Sequence, residues 1–179
     1  MGGTIVIIIV VILVVGVAAV LILAAMKPDA FRVQRSASFR APREKIFPLI
    51  NDFHQWGSWS PWEKLDPALK RTYSGAAAGL GSVYEWEGNK KVGKGRMEIK
   101  ESTPGSKILI QLDFLKPFEA HNTAEFRLDG QGDSTNVTWS MEGHQPYMFK
   151  VMSLFVSMDK MIGKDFEAGL ANLKGLTEK

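Results

Sequence analysis

The side chains best suited to acid–base or metal chemistry in this 179-residue chain are three histidines and a set of carboxylates. His54, His121 and His144 lie far apart in the sequence and have no metal-ligand spacing. The sequence contains no H-x-E, H-E-x-x-H, G-x-S-x-G or phosphate-loop pattern, and it contains no cysteine. No sequence motif therefore indicates a hydrolytic metal site, a serine hydrolase site or a nucleotide site. We predict neither a metal nor a cofactor.

Several carboxylates fall within predicted strands, where a side chain that points inward could act as a general acid or base. They are Glu85, Glu87, Glu98, Asp113, Glu125 and Glu142. The first two alternate with Tyr84 and Trp86, and successive side chains of a strand point to opposite faces. We therefore expect a charged outer surface, and we assign no catalytic residue.

Hydrophobic periodicity predicts the elements that position these side chains. Period-two alternation over Phe31 to Phe39 predicts a first strand, and Pro42 opens a short helix that is followed by a second helical turn over Asp52 to Trp59. Period-two runs separated by glycine-rich turns then predict six antiparallel strands near residues 70–74, 82–87, 93–102, 107–115, 122–129 and 135–143. Apolar residues recur at helical spacing from Met148 to Leu173, which predicts one long amphipathic helix.

These elements predict an α+β domain in which a curved antiparallel sheet of about seven strands wraps around a long C-terminal helix. A chain of about 150 residues is enough for one domain. We place this domain at residues 28–179, after an N-terminal segment, residues 1–27, of very different composition.

The N-terminal segment is predicted to be a transmembrane anchor. From Ile5 to Met26, about 22 residues carry no charged, amide or histidine side chain, and a helix of that length reaches about 33 Å. The alternative is a signal peptide, but no basic residue precedes the run, which exceeds the usual apolar core of about 7 to 15 residues. We predict a single-pass membrane protein, and Lys27, Arg32 and Arg35 after the helix favour a cytoplasmic domain.

The charge balance bears on the partners of the domain. The formal net charge is +3, and acidic and basic residues are interspersed along the chain. We therefore expect no nucleic-acid groove, whereas a modest attraction to anionic lipid headgroups is compatible with this balance. The sequence identifies no protein partner.

Local motifs accompany the predicted elements. They are R-A-P-R-E-K-I-F-P-L-I-N-D-F-H-Q-W-G-S-W-S-P-W-E (Arg40–Glu63), V-Y-E-W-E-G-N (Val83–Asn89), G-K-G-R-M-E-I (Gly93–Ile99), V-T-W-S-M-E-G (Val137–Gly143) and M-D-K-M-I-G-K-D-F-E-A-G-L-A-N-L-K (Met158–Lys174). With the order of elements, they resemble the START-related polyketide cyclase/dehydrase and lipid transport superfamily (SRPBCC), which has the helix-grip fold. The resemblance covers about Phe31 to Leu176 and implies an apolar cavity between the sheet and the C-terminal helix.

Side-chain alternation nominates a lining for that cavity. The candidates are Trp59, Trp62, Tyr84, Trp86, Met97, Ile99, Trp139, Met141, Met152, Phe155 and Ile162. Each could instead be a core residue, since methionine and aromatic side chains also fill cores. For the run Trp56, Trp59 and Trp62, core packing is preferred over a pocket lid or contact with lipid headgroups.

Three functions follow from these observations. The first is a non-catalytic, membrane-tethered module that holds an apolar or lipid-like small molecule. The second, implied by the resemblance alone, is a polyketide cyclase or dehydratase. The third is a protein-interaction or membrane-stress scaffold whose interior is filled by side chains.

Overall fold

The computed structural model describes residues 2–178. In chain order, the elements are α1 (Gly2–Ala25), β1 (Ala30–Phe39), α2 (Arg43–Asn51), two 3₁₀ turns (Phe53–Ser58 and Pro61–Lys64), β2 (Lys70–Gly75), β3 (Ser82–Glu87), β4 (Lys94–Thr103), β5 (Lys107–Lys116), β6 (Ala120–Gln131), β7 (Ser134–His144), α3 (Tyr147–Met152) and α4 (Met158–Thr177). All seven predicted strands are present, and the predicted α+β helix-grip fold is confirmed.

The strands form one antiparallel sheet in the order β1-β7-β6-β5-β4-β3-β2. From β2 to β7, a short turn joins each strand to the next one in the chain, and consecutive strands pair with each other. The register places Phe31 and Asn122 on either side of Gly143, and Leu112 lies opposite Asn122. These residues share the inner face with the buried core, because they alternate with exposed or half-exposed neighbours.

Helix α4 lies on the inner face of the sheet. It begins at Ser157, whose hydroxyl accepts a hydrogen bond from the backbone N–H of Lys160 at 3.3 Å. Arg35 of β1 fixes the helix from the sheet side, since it donates to Asp159 at 2.9 Å and to Glu167 at 2.6 Å. The guanidinium beside these two carboxylates holds the pKa of Arg35 above its ordinary value.

The prediction of one continuous C-terminal helix from Met148 is wrong, because residues 153–157 separate two helices. α3 ends where the Ser153 N–H donates to the Phe149 carbonyl at 2.8 Å, and Ser157 then caps α4. The predicted turn over Asp52 to Trp59 is a 3₁₀ segment that starts one residue later, after the Asp52 side chain caps it, and a second 3₁₀ turn follows it.

Helix α1 has 24 residues, is exposed along almost its whole length and carries no charged side chain. Its length and composition are sufficient to cross a membrane, although a signal sequence at this position meets the same criteria. Its C-terminal end contacts α3, where the Tyr147 hydroxyl donates to the Leu21 carbonyl at 2.7 Å. Lys150 of α3 pairs with Asp29 in the connection that follows α1.

Candidate ligand-binding face

The structure brings most of the nominated lining residues to one surface, the inner face of the sheet. Six strand residues belong to the buried core there: Tyr84, Trp86, Met97, Ile99, Trp139 and Met141. Trp59 is also fully buried, and Trp62 and Ile162 are half-buried and packed against the same core. Their role in ligand contact stays a prediction.

The remaining two candidates, Met152 and Phe155, lie away from this surface. Their exposed fractions are 49% and 74%. They continue the helical spacing of the apolar residues, but α3 ends at Met152 and Phe155 lies in the connection to α4. An apolar repeat in the sequence does not tell a core-facing side chain from one that faces outward.

One half of the inner face is filled by aromatic rings. The Trp139 ring stacks on Phe166 of α4, with ring centroids 4.0 Å apart and planes 6° apart. Trp59 and Trp62 each meet Trp139 edge-on at 5.6 Å. Gly169 lets the helix approach this closely, because a Cβ there would come within 2.8 Å of the Trp139 ring. α4 and the sheet are therefore in direct contact at this point.

The indoles of the first 3₁₀ turn and its C-cap also hold α2 in place. Trp56 donates to the Ile50 carbonyl and Trp59 to the Leu49 carbonyl, each at 2.9 Å. These carbonyls belong to the last turn of α2, where the backbone has no partner within the helix. Trp56 and Trp59 are thus core residues, in agreement with the preferred interpretation of the tryptophan run.

The other half of the inner face, toward the end where β1 begins and β7 ends, is less completely covered. Phe31, Leu112 and Phe114 are only half-buried there. Between Phe31 and Leu112 lies Asn122, which is 6% exposed and whose Oδ1 has no hydrogen-bond partner. The nearby surface depression of 540 Å³ lies on the opposite, outer face, because its side chains include Arg32, His121, Thr123 and Glu142. We call the row Phe31, Gly143, Asn122, Leu112 and Phe114 the open end.

The side chain of Asn122 fits at this position because the residue opposite it on β7 is Gly143. Gly143 has no side chain, and a Cβ there would collide with Asn122 Oδ1 and lie 3.2 Å from the Phe31 ring. The amide oxygen therefore occupies space that a larger residue would fill. An unpaired buried acceptor costs about 1–3 kcal/mol, and such groups call for a partner. The sequence pattern did not single out Asn122, since a polar residue in a strand is expected on the outer face.

A buried polar cluster closes the face at the β2 and β3 edge. Glu63 accepts hydrogen bonds from the Tyr84 hydroxyl and from Arg71, and Arg71 also donates to the Glu63 carbonyl at 3.0 Å. Burial, with the Glu63 carboxylate as a second cause, raises the pKa of Tyr84 above its ordinary value. The Glu63 carboxylate, the Tyr84 hydroxyl and the Arg71 guanidinium form hydrogen bonds within the cluster, which is typical of a structural role. Sequence reasoning missed Glu63 because it lies in a turn.

The predicted histidines are surface residues. His54 contacts Asp52 at 2.8 Å, and His121 contacts Asp113 at 2.8 Å, with both imidazoles at least half exposed. Within residues 2–178, no group of three or more acidic or histidine side chains is placed to hold a metal ion. The inner face thus presents apolar side chains and two buried polar atoms without a hydrogen-bond partner, the acceptor Asn122 Oδ1 and the donor Trp139 Nε1.

Comparison with known proteins agrees with this architecture. The family profile described as polyketide cyclase/dehydrase and lipid transport matches residues 30–178. The fold is similar to that of protein CV1439 from Chromobacterium violaceum, with a TM-score of 0.58 and 16% identity over 86% of this chain and 99% of that one. It is also similar to the Aha1 dimer from Colwellia psychrerythraea, with a TM-score of 0.58 and 14% identity over 83% of this chain and 96% of that one.

The di-domain ARO/CYC BexL from the BE-7585A biosynthetic pathway gives a TM-score of 0.62 and 14% identity over 88% of this chain and 53% of that one. None of the curated proteins matches this sequence. At these identities the likeness to solved structures concerns the fold.

Proposed function

This chain belongs to the polyketide cyclase/dehydrase and lipid transport family, and from that premise we propose that it is a membrane-tethered module that binds an apolar or lipid-like small molecule. The helix-grip fold of this family is a hydrophobic ligand-binding fold. In our proposal the guest lies against the open end of the inner face, and no chemical step is required of the protein.

The observation that carries the proposal is the unpaired oxygen of Asn122. It lies among apolar side chains and can accept one hydrogen bond. A guest with a hydroxyl or amine at one end and a hydrocarbon body would satisfy the acceptor and cover the half-buried rings of Phe31 and Phe114 at the same time. We therefore expect an amphipathic guest rather than a pure hydrocarbon.

The membrane tether is the second part of the proposal. The family match begins at residue 30, where β1 starts, so the apolar helix lies outside the matched domain. Only a short connection, from Met26 to Asp29, joins α1 to β1. A connection of four residues spans at most about 14 Å, which favours capture of a guest from the bilayer in which α1 lies. The basic residues Lys27 and Arg32 after the helix favour a domain on the cytoplasmic side.

A second candidate function is a scaffold without a guest. The direct stacking of Trp139 on Phe166 favours it, because the interior is filled by side chains in that half of the domain. The two functions make different predictions at the open end. A binding module requires a guest that donates a hydrogen bond to Asn122, whereas a scaffold does not.

The test replaces Asn122 by leucine, which has the same branching and number of side-chain heavy atoms but no hydrogen-bonding group. Full-length protein is purified in a mild detergent, and the organic extract is analysed by mass spectrometry for a guest in stoichiometric amount. We expect the wild type to retain such a guest and Asn122→Leu to lose most of it. Asn136→Leu is the matched control, since Asn136 is exposed on β7 near the other end of the sheet. Equal extracts from all three proteins would contradict the proposal.

A further inference from the structure

The end of the domain nearest α1 carries a group of exposed apolar side chains, which we call the rim. Its members are Phe118, Tyr147, Met148, Met152, Phe155 and Val156. Their exposed fractions run from 47% for Tyr147 to 74% for Phe155. A contiguous group of this kind marks an interaction surface, whereas single exposed apolar residues are ordinary.

The rim is joined to α1 by direct contacts. Tyr147 donates its hydroxyl to the Leu21 carbonyl at 2.7 Å, and Lys150 of the same short helix pairs with Asp29. The ring of Phe118, in the turn between β5 and β6, meets the ring of Phe149 edge-on at 5.9 Å. The apolar surface of α1 therefore continues onto α3 and from there onto the β5–β6 turn.

The opposite end of the sheet has a different surface. Leu80, in the turn between β2 and β3, is 65% exposed, but it stands among small and polar residues. The depression at that end is lined mainly by polar side chains, which include Ser38, Arg43 and Asn136. The apolar character is thus concentrated at the end from which α1 departs.

Basic side chains accompany the rim. The turn between β3 and β4 lies at the same end of the sheet and presents Lys90 and Lys91, both exposed. Lys116 ends β5 directly before the turn that carries Phe118. Lysines beside an apolar surface complement a bilayer interface with anionic headgroups.

We propose that the rim is a bilayer-docking surface: α3 and the connection to α4 lie in the interface of the membrane that α1 spans, with Phe155 among the acyl chains. This inference rests on the tether proposed above and adds a second, peripheral contact of the domain with the lipid. The open end of the inner face then borders the bilayer, so an amphipathic guest can move between lipid and protein without crossing water.

Site-directed labelling tests the rim directly, because the native chain has no cysteine and every label site is therefore unique. Full-length protein is reconstituted into vesicles of phosphatidylcholine and phosphatidylglycerol. Single variants Phe155→Cys, Leu80→Cys and Val14→Cys each carry one nitroxide. Collision of the label with oxygen, which partitions into lipid, is compared with collision with a water-soluble nickel complex.

We expect oxygen to dominate at positions 155 and 14, and the nickel complex to dominate at position 80. Leu80 is the matched control, since it is also a large, exposed apolar residue. A water-like ratio at 155 with a lipid-like ratio at 14 overturns the docking surface and leaves the tether intact. A water-like ratio at 14 overturns the tether and the docking surface together. Magnetic coupling between labels at 155 of two copies would assign the rim to self-association and also overturn the proposal.

Discussion

The indole of Trp139 on β7 lies flat against the ring of Phe166 on α4, with 4.0 Å between the ring centroids. This contact joins the sheet to the C-terminal helix at the centre of the domain. It also divides the inner face into a half that is filled by aromatic rings and a half that keeps an unpaired amide at Asn122. We therefore expect substitutions in the aromatic half to change stability, and substitutions at Asn122 to change ligand binding.

Removal of the ring at Phe166 should destabilise the domain strongly. Phe166 is 1% exposed, and truncation of a buried phenylalanine to alanine usually costs about 3–5 kcal/mol. We expect Phe166→Ala to lower the free energy of unfolding by that amount in denaturant titrations followed by tryptophan fluorescence. Met161→Ala on the same helix is the control, since Met161 is 52% exposed. Equal effects of the two changes would contradict the packing described for α4.

Loss of the hydroxyl at Tyr84 should destabilise the domain less than loss of the Phe166 ring. Tyr84→Phe leaves the buried Glu63 carboxylate with Arg71 but removes one of its donors. The expected cost is about 1–3 kcal/mol of unfolding free energy, measured by the same titrations. Tyr73→Phe is the control, because Tyr73 stacks on Tyr84 but is 36% exposed, and a change of no more than about 0.5 kcal/mol is expected. A larger effect for Tyr73 would argue against the buried cluster.

His121 should titrate above the ordinary histidine range. The hydrogen bond with Asp113 stabilises the charged imidazolium and raises the pKa of His121. Because the folded pKa is raised, the pair contributes stability below about pH 6.5 and loses that contribution as pH rises through the folded pKa. A proton NMR titration of the imidazole resonances measures the shift, and Asp113→Asn should return it toward the ordinary value. An unchanged titration in Asp113→Asn would refute this assignment.

Asn122→Leu should make the empty protein more stable. The substitution removes a buried acceptor without a partner, and relief of that desolvation penalty raises the free energy of unfolding by about 1 kcal/mol. The measurement uses protein stripped of bound lipid, so that guest binding does not enter the comparison. Decreased stability would count against the unpaired acceptor as the dominant cost at this position. Increased stability with loss of the guest would identify Asn122 as a residue kept for binding.

Reversal of charge at the β3–β4 turn should lift the rim from an anionic membrane. The double variant Lys90→Glu and Lys91→Glu places two acidic side chains beside the headgroups, where each basic residue contributes about 1 kcal/mol of attraction. A nitroxide at position 155 should then become more accessible to the nickel complex in vesicles with phosphatidylglycerol. Vesicles of phosphatidylcholine alone are the control, in which the double variant and its parent should agree.

The strands could be predicted from the sequence to within two residues because two independent signals mark them. The side chains alternate along each strand, and glycines punctuate the turns. Gly93, for example, has a φ of +70° and closes the turn between β3 and β4, where a Cβ would collide with the Lys116 carbonyl. A conformation that favours glycine so strongly leaves a visible mark in the sequence.

The exposed apolar residues after β7 and the buried Asn122 could not be predicted, for two different physical reasons. Met152 and Phe155 have the apolar spacing of a core helix, yet they are exposed, and hydropathy does not distinguish a protein interior from a lipid interface. Asn122 could not be identified because its burial depends on Gly143, which lies 21 residues later in the chain and becomes its neighbour only through strand pairing. Long-range pairing of this kind has no local sequence signal.

The central claim is that the inner face of this domain holds a guest, and native mass spectrometry of the full-length protein released from lipid nanodiscs tests it most directly. We predict a population heavier than the bare chain by one discrete small molecule, which Asn122→Leu reduces and Asn136→Leu preserves. A single peak at the mass of the bare chain in all three proteins, under conditions that keep the fold intact, would contradict the account.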